Sequence, residues 1–309
     1  MFCRHQLMSE GSDRSPAVFR YLGCILVVVM ALVLVVSLAA ILLGALAARL
    51  SADPALHLTA FDGVAPVGGP PPRLRAWTEG SEPGRRADYS WLVMRLEDGW
   101  SAWAWISQSG HSWALGPQGL RTGPHRFVVG LPEVQPRLDL SARATIYAWP
   151  QGDPVIWFDA AAIVPACGAR LIRGAAPSAP PGQVQTLIDV VETLASGRLP
   201  VYLVTADAQG YASARRRLKA YGAPPGPAFW VIPGQERGRL LGLKKVWPGV
   251  HAAVVCNPTL LDAAARAKVR VQAAPSADAL AGPAEATEAW RPILEALTAR
   301  PAGGDNVRR

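Results

Sequence analysis

The sequence predicts an α/β protein with a doubly wound parallel sheet, preceded by a small all-β sandwich and one N-terminal transmembrane helix. Three observations lead to this prediction. An uncharged apolar run covers residues 21–48, short segments rich in aromatic and β-branched residues fill 72–150, and strand-like and helix-like runs alternate from residue 153 onward. Alternation of this last kind is typical of parallel sheets that helices cover on both faces.

The apolar run follows a polar tail of residues 1–20. About 20 apolar residues cross a bilayer, so residues 21–48 are long enough for one crossing. The run ends in GALAAR, a weak cleavage signal, which favours an uncleaved anchor over a signal peptide. Arg4, Arg14 and Arg20 precede the run, whereas Arg49 alone lies just beyond it. This bias predicts a cytoplasmic tail, a single pass through the inner (cytoplasmic) membrane of a bacterium and a periplasmic body.

A linker is expected over residues 49–71, because it ends in the proline- and glycine-rich stretch GGPPPR. The β-sandwich is then expected over 72–150, where turn residues separate runs such as YSWLVMRL and HRFVVGL. The segment WSAWAWIS alternates large and small side chains, as a half-buried strand does. The clustered tryptophans are interpreted as the core of the sandwich, and a sugar- or lipid-binding face is the alternative.

The α/β domain is expected over residues 151–298, followed by a disordered tail, 299–309. Five apolar runs predict its strands, and the continuous run PVIWF is typical of a strand buried on both faces. The helix predicted from GQVQTLIDVVETLASG carries its apolar side chains on one face. The five predicted strands are PVIWF, PVYLVT, AFWVI, HAAVVC and VRVQA.

Positive charge concentrates in one stretch of the α/β domain. The net charge is +8, and residues 206–250 carry eight basic side chains against two acidic ones. Such a surface attracts anionic phospholipid headgroups or a phosphate-bearing ligand, and a solvated helix face is the alternative. The chain has no zinc pattern and no aromatic-plus-basic strand motif, so no nucleic-acid partner is predicted. The arginines expected to bind phosphate or lipid are Arg215, Arg216, Arg237 and Arg239.

Two of the four cysteines, Cys167 and Cys256, belong to the predicted body. In an oxidising compartment they could pair as a disulfide, and two buried free thiols are the alternative.

Polar residues follow the predicted strands in an order that suggests phosphoryl transfer. In such chemistry a carboxylate attacks phosphorus, a hydroxyl and a lysine hold the phosphoryl oxygens, and carboxylates hold a divalent cation. Parallel strands bring such residues together beyond their carboxyl ends. The candidate catalytic residues are Asp159, Thr205, Lys244 and Lys245, and the candidate metal ligands are Asp159, Asn257 and Asp262.

Residues 146 to about 273 resemble the haloacid dehalogenase-like superfamily, and within it the lipin-type phosphatidate phosphatases are most similar. The segment IYAWPQGDPVIWFDAAAIV matches a strand that ends in the family motif D-x-D-x-T, with Asp159 at the nucleophile. YLVTADAQGYA matches the hydroxyl motif through Thr205, and VVCNPTLLD resembles the final motif, with Asn257 and Asp262. The resemblance implies a Mg²⁺-dependent phosphomonoester hydrolase, and it places Cys167 and Cys256 near the same rim.

The departures from the family pattern argue against catalysis. Ala161 stands where the second aspartate serves as general acid and base, and the loss of such a group costs about 10²–10⁴-fold in rate. Ile163 replaces the threonine, and Asp207 stands where an arginine is usual. The sequence therefore predicts a catalytically degenerate domain that binds or scaffolds at the membrane surface. The alternative is an active phosphatase on a phospholipid or another phosphomonoester, with Asp159 as nucleophile and Mg²⁺ as cofactor.

Overall fold

A computed structural model of the chain describes residues 29–37, 57–79, 91–107, 109–130, 141–164 and 181–298. The chain divides into two units, Met1–Pro54 and Ala55–Arg309. In the first unit the described residues form a single helix, α1, over 29–37. The predicted tails, residues 1–20 and 299–309, lie outside the described residues.

The predicted fold class is wrong in its transmembrane helix. Within the predicted span, residues 21–28 and 38–48 lie outside the described part, and α1 covers only 29–37. Across the ranges that the structure describes, no helix is both long enough and apolar enough to cross a membrane. The architecture that the structure supports is an α/β chain with one parallel sheet and further β-sheets before it.

The β part of the second unit consists of two sheets packed around one core. One sheet has the strand order β1-β3-β6 and the other the order β2-β8-β7-β4-β5. All neighbours are antiparallel except β2 and β8, which run parallel. Buried side chains from both sheets, among them Leu74, Met94 and Phe127, form one cluster. The strands are β1 His57–Phe61, β2 Gly63–Pro66, β3 Arg73–Glu79, β4 Trp91–Leu96, β5 Ser101–Trp105, β6 His111–Leu115, β7 Gly123–Gly130 and β8 Ala142–Trp149.

The β part begins earlier than predicted, because β1 and β2 occupy most of the described part of the expected linker. The proline- and glycine-rich stretch that suggested a linker is the connection between β2 and β3. Gly68, for example, has a φ of 72° there, in the left-handed region that favours glycine.

The tryptophans do not form the sandwich core as predicted. Trp91, Trp103, Trp105 and Trp113 are between 41% and 61% exposed. The alternating segment WSAWAWIS does form a strand, β5, but Ala104 and Ile106 face the interior and Trp103 and Trp105 face outward. Successive strand residues point to opposite faces, so the identity of the buried face determines which alternate side chains are buried and which are exposed.

The α/β part contains a five-stranded sheet with the order β11-β10-β9-β12-β13, and every pairing in it is parallel. The first strand, β9, therefore lies at the centre, and the chain adds strands first on one side of it and then on the other. The elements are β9 Val155–Asp159, α2 Ala160–Ile163, α3 Pro181–Ala195, β10 Leu199–Thr205, α4 Ala208–Ala220, β11 Ala228–Val231, α5 Glu236–Val246, β12 Val250–Val255, α6 Pro258–Arg266, β13 Val271–Ala273 and α7 Pro283–Thr298.

Helices cover both faces of this sheet, which explains the continuous apolar runs of its strands. On β9, Ile156 and Phe158 join a core with α3, α4 and α7, whereas Val155 and Trp157 join a core with α5 and α6. Both faces of the sheet are thus buried, and polar side chains such as Asp159 and Thr205 lie at the ends of its strands.

A buried polar cluster joins the two parts of the second unit. Asp62, between β1 and β2, accepts hydrogen bonds from the N–H of Thr145 on β8 (2.8 Å) and the N–H of Ala228 on β11 (3.2 Å). Arg215 on α4 pairs with the same carboxylate at 2.9 Å. Phe61 stacks on Trp230 with ring centroids 4.0 Å apart. This interface fixes α4 and β11 against the β part.

Candidate functional site

Asp159 occupies the position where ligands bind in open parallel sheets. It ends the central strand β9, between β10 and β12, at the point where the strand order reverses. A crevice at such a point, beyond the carboxyl ends of the strands, is the usual ligand site of doubly wound sheets. The sequence located this strand end correctly, and its surroundings decide what the carboxylate can do.

Main-chain groups occupy both oxygens of the Asp159 carboxylate. Oδ1 accepts the N–H of Ala161 at 3.1 Å. Oδ2 accepts the N–H of Cys256 at 3.2 Å, the thiol of Cys256 at 3.1 Å and the N–H of Asn257 at 3.0 Å. Asp159 is only 2% exposed. The carboxylate therefore joins the end of β9 to the end of β12, where the ladder of the two strands stops.

Burial is also the largest influence on the acidity of Asp159. It raises the pKa of this carboxyl above its ordinary value, and the hydrogen bonds from Cys256, Asn257 and Ala161 offset part of the rise. A nucleophilic carboxylate needs an exposed, ionised oxygen facing its substrate. Asp159 meets neither condition well. Burial disfavours its ionised form, and four hydrogen-bond donors lie between its oxygens and any substrate.

The residues after Asp159 form a single helical turn rather than a ligand-binding loop. Asp159 caps α2 through its bond to Ala161, and Ala160, Ala162 and Ile163 are buried within it. Small and apolar side chains fit this turn beneath α3 and the 3₁₀ turn at Ala277–Ala279. The two positions at which the family pattern has an acid and a hydroxyl, Ala161 and Ile163, thus serve packing.

Thr205 and Asp207 follow β10 at the same edge of the sheet. The hydroxyl of Thr205 is buried and has no hydrogen-bond partner among the residues that the structure describes. Asp207 caps α4, and its Oδ1 accepts the N–H of Gly210 at 2.7 Å. Thr205 is therefore placed as the sequence predicts, whereas Asp207 has a structural role that accounts for a carboxylate at this position.

Asn257 lies at this edge, but Asp262 does not join it there. Asn257 caps α6, and its side-chain oxygen accepts the N–H and the hydroxyl of Thr259, both at 2.9 Å. Asp262 is exposed one turn along α6, where it pairs with Arg266 at 2.8 Å. The side chains of the predicted metal ligands therefore bind different groups and do not converge on one point.

The predicted lysines lie at the wrong edge of the sheet. Lys244 and Lys245 are in the last turn of α5, and the side chain of Lys244 donates to the carbonyl of Pro248 at 2.6 Å. The same helix end contacts the turn that leads into β9, through Gln151 and the carbonyl of Val246. The lysines are thus near the amino ends of β9 and β12, whereas Asp159 is at a carboxyl end. Their predicted catalytic role is corrected accordingly.

The predicted phosphate- or lipid-binding arginines are divided between two places. Arg215 and Arg216, together with Arg143, line a cleft of about 400 Å³ between β1 and α4. Arg239 donates two bonds to the carbonyl of Trp230 and lies over the ring of Phe229. Arg237 is exposed on α5. The four arginines therefore do not form one patch.

Of the two cysteines in the predicted body, the structure describes Cys256. Cys167 lies outside the described residues, whereas Cys256 is a free thiol that donates to Asp159. Burial and the neighbouring carboxylate raise the pKa of the Cys256 thiol far above its ordinary value. Cys256 is consequently a poor nucleophile and does not provide a reactive thiolate.

The residues at the Asp159 edge do not fit the Mg²⁺ ion that the family resemblance implies. Mg²⁺ needs several oxygen ligands, yet Oδ2 of Asp159 already accepts three hydrogen bonds and Oδ1 accepts one. The amide oxygen of Asn257 accepts two bonds from Thr259, and Asp262 pairs with Arg266. In the part of the chain that the structure describes, no group of three or more His, Cys, Asp or Glu side chains could hold a metal.

The sequence did not reveal three polar residues at or near this edge, Glu236, Thr259 and Ser276. Glu236, the first residue of α5, accepts the hydroxyl of Thr259 at 3.3 Å and the N–H of Gly234 at 3.0 Å. Ser276 donates to the carbonyl of Ala161 at 3.4 Å. The start of α5 after the turn at Gly234 is the signal that could have revealed Glu236, because helix N-termini in such sheets lie at the carboxyl edge.

Comparisons with known proteins do not assign the chain to a family. No family model matches it, and no curated protein matches it. Among solved structures, a match is found to the crystal structure of a sialyltransferase from Photobacterium damsela, with 7% sequence identity and a TM-score of 0.17. The match covers 63% of this chain and 35% of the sialyltransferase chain. A likeness this weak supports neither a fold assignment nor a function.

Proposed function

We propose that the α/β part is a haloacid dehalogenase-like domain, similar to lipin-type phosphatidate phosphatases, that does not transfer phosphoryl groups and acts as a binding or scaffold module. One observation carries this proposal: both oxygens of Asp159, at the position of the nucleophile, are held by main-chain N–H groups and the Cys256 thiol in a site that is 2% exposed. The carboxylate acts as a connector between β9 and β12.

The position of Asp159 supports the resemblance, and its neighbours support the loss of catalysis. Asp159 ends the central strand, and Thr205 ends the strand beside it, as the family pattern requires. Against catalysis, Ala161 supplies no acid or base, and Lys244 lies at the opposite edge of the sheet. A phosphoryl group at Asp159 would lack the cations that offset its charge.

The cleft between β1 and α4 is the site at which this module would bind a phosphate-bearing ligand. Arg143, Arg215 and Arg216 line it, and the guanidinium of Arg215 is held in place by Asp62 and the carbonyl of Arg143. Guanidinium groups fixed in this way are suited to phosphate oxygens. This site differs from the Asp159 edge, so binding here does not require catalysis there.

The first experiment measures phosphatase activity of the full chain on phosphatidate and on p-nitrophenyl phosphate with Mg²⁺. We expect no turnover above the background of Asp159→Asn. We also expect no gain of activity in Ala161→Asp, because that variant keeps the hydrogen bonds to the Asp159 carboxylate and leaves Lys244 at the opposite edge of the sheet. Asp189→Asn, an exposed carboxylate change on α3, is the matched control. Turnover that Asp159→Asn abolishes and Asp189→Asn preserves would establish the alternative, an active phosphatase with Asp159 as nucleophile.

The second experiment measures binding of inorganic phosphate to the full chain by calorimetry. Arg143→Ala and Arg216→Ala should each weaken binding about tenfold, the loss of roughly one charge-assisted hydrogen bond. Arg237→Ala, which changes an exposed arginine on α5, should leave it unchanged. Equal effects of all three substitutions, or no measurable binding, would reject the cleft as the ligand site.

A further inference from the structure

An exposed aromatic surface on the β part is unrelated to the Asp159 edge and to the arginine cleft. It consists of the four outward tryptophans and Leu115, and we call it the tryptophan face: Trp91, Trp103, Trp105, Trp113 and Leu115, between 41% and 61% exposed. Single exposed apolar residues are ordinary, but a contiguous group of large ones marks an interaction surface.

Strand pairing makes these side chains contiguous. Trp91 on β4 is opposite Trp105 on β5, and Val93 is opposite Trp103. A bridge between Ile106 and Ser112 brings β6 beside β5, so that Trp113 follows Trp105 across the hairpin. The face thus extends over three neighbouring strands, with its side chains on the side away from the sandwich core.

Positive charge borders the tryptophan face. Arg95 is exposed two residues beyond Val93 on β4, and Arg73 on β3 is opposite Leu115 and lies 5.2 Å from the ring centre of Trp113. No carboxylate is among the outward residues of the three strands. These residues are Trp91, Val93, Arg95, Ser101, Trp103, Trp105, His111, Trp113 and Leu115.

Among the residues that the structure describes, acidic side chains beside the face occur in the β4–β5 turn, where Glu97 lies 4.0 Å from Arg126. The combination of tryptophan and arginine on the three strands fits an anionic lipid surface. Tryptophan is favoured at the boundary between headgroups and acyl chains, because it is apolar with one polar N–H. Arginine near an anionic bilayer adds electrostatic attraction. We infer that the tryptophan face is a peripheral docking surface for an anionic lipid bilayer, with Trp103 and Trp105 entering the interface and Arg73 and Arg95 contacting lipid phosphates.

The geometry of the rings argues against a sugar-binding platform. Sugar rings stack on aromatic rings that lie flat and side by side, whereas Trp91 and Trp105 meet edge to face at 83°, with centroids 5.0 Å apart. The residues paired across from Trp103 and Trp105 are Val93 and Trp91, so on β4 no polar side chain lies directly opposite these two rings. Insertion into the interface of a bilayer requires neither parallel rings nor polar side chains between them.

Quenching of tryptophan fluorescence by brominated phospholipids tests this inference with the full chain. All 11 tryptophans lie between Trp77 and Trp290, so the fluorescence comes from the second unit. We expect quenching by vesicles of brominated phosphatidylcholine with phosphatidylglycerol. With Trp103→Ser/Trp105→Ser, the lipid concentration for half-maximal quenching of the remaining tryptophans should rise at least about tenfold.

The arginines and a control variant complete the design. Arg73→Ala/Arg95→Ala should raise the same concentration about tenfold or more on anionic vesicles and change little on phosphatidylcholine alone. Leu261→Ser, which removes an exposed leucine on α6, should behave as the wild type, and circular dichroism checks that each variant is folded. Quenching that is absent, or unchanged in the tryptophan variant, would overturn the inference. A fluorescence change with cellohexaose in place of lipid would assign the face to sugars and overturn it as well.

Discussion

The carboxylate of Asp159 accepts the main-chain N–H of Asn257 at 3.0 Å, and so ties the central strand β9 to the start of α6. Together with its bonds to Ala161 and Cys256, this contact makes Asp159 a structural group at a position where a nucleophile is expected. Its role can be separated from catalysis by measuring stability.

Asp159→Ala should destabilise the protein substantially. The substitution leaves three buried N–H groups without an acceptor, and an unsatisfied buried polar group costs about 1–3 kcal/mol. We expect the free energy of unfolding to fall by about 3 kcal/mol, as measured by urea denaturation. Asp159→Asn keeps one acceptor oxygen and should lose less. A variant as stable as the wild type would contradict the connecting role.

The stability contributed by Asp159 should depend on pH in a defined direction. Burial raises the pKa of its carboxyl in the folded state, so the unfolded chain releases the proton first as pH rises. The wild type is favoured most below the ordinary aspartate pKa of about 4 and loses stability as pH rises through the raised pKa. The difference in unfolding free energy between the wild type and Asp159→Asn should therefore shrink with rising pH. A difference that grows would show that the pKa is lowered.

The strand ends could be predicted from the sequence, and their surroundings could not. Asp159, Thr205 and Asn257 each follow an apolar run, so their shared edge followed from parallel pairing. Lys244 instead lies in the last turn of α5, and eight residues of helix, about 12 Å, separate it from Glu236 and place it at the opposite edge. Chain order contains no information on that distance unless the start of the helix is known.

The tryptophans show a second limit of sequence-based prediction. Alternation in WSAWAWIS establishes two faces but does not say which is buried, and bulk alone favoured Trp103 and Trp105. The structure buries Ala104 and Ile106 instead, because side chains such as Met94 and Phe127 already occupy the space between the sheets. Such competition for volume depends on long-range packing, which local patterns do not describe.

Thr205→Val should leave the protein as stable as the wild type or stabilise it by up to about 1 kcal/mol. The hydroxyl of Thr205 is buried without a hydrogen-bond partner in the described part of the chain, and replacing an unpaired polar group by an apolar one of the same shape removes a cost. Thermal unfolding provides the measurement. Thr186→Val, which removes a hydroxyl that donates to the carbonyl of Gly182 at 3.0 Å, is the paired comparison. A clear loss of stability in Thr205→Val would reveal a partner for this hydroxyl.

Arg215→Met should weaken the connection between the β part and the α/β part. It leaves the Asp62 carboxylate, whose side chain is 3% exposed, without its cation. Because the Arg215 side chain is 33% exposed and two N–H groups still bond to Asp62, we expect a loss of about 2 kcal/mol, less than for a fully buried pair. Arg216→Met, on the exposed side of the same helix, should change the free energy of unfolding by less than about 0.5 kcal/mol. Equal effects of the two substitutions in urea denaturation would show that Asp62 does not depend on Arg215.

Cys256 should react slowly with iodoacetamide, because the thiolate is the reactive form and both burial and Asp159 raise the pKa of its thiol. Alkylation at each cysteine can be followed by mass spectrometry of peptides from the full chain. We expect a rate at Cys256 more than about tenfold below that in the denatured chain. Asp159→Asn removes the neighbouring carboxylate, so the rate at Cys256 should rise while the other cysteines remain unchanged. Rapid labelling of Cys256 in the folded wild type would show that its thiol does not donate to Asp159.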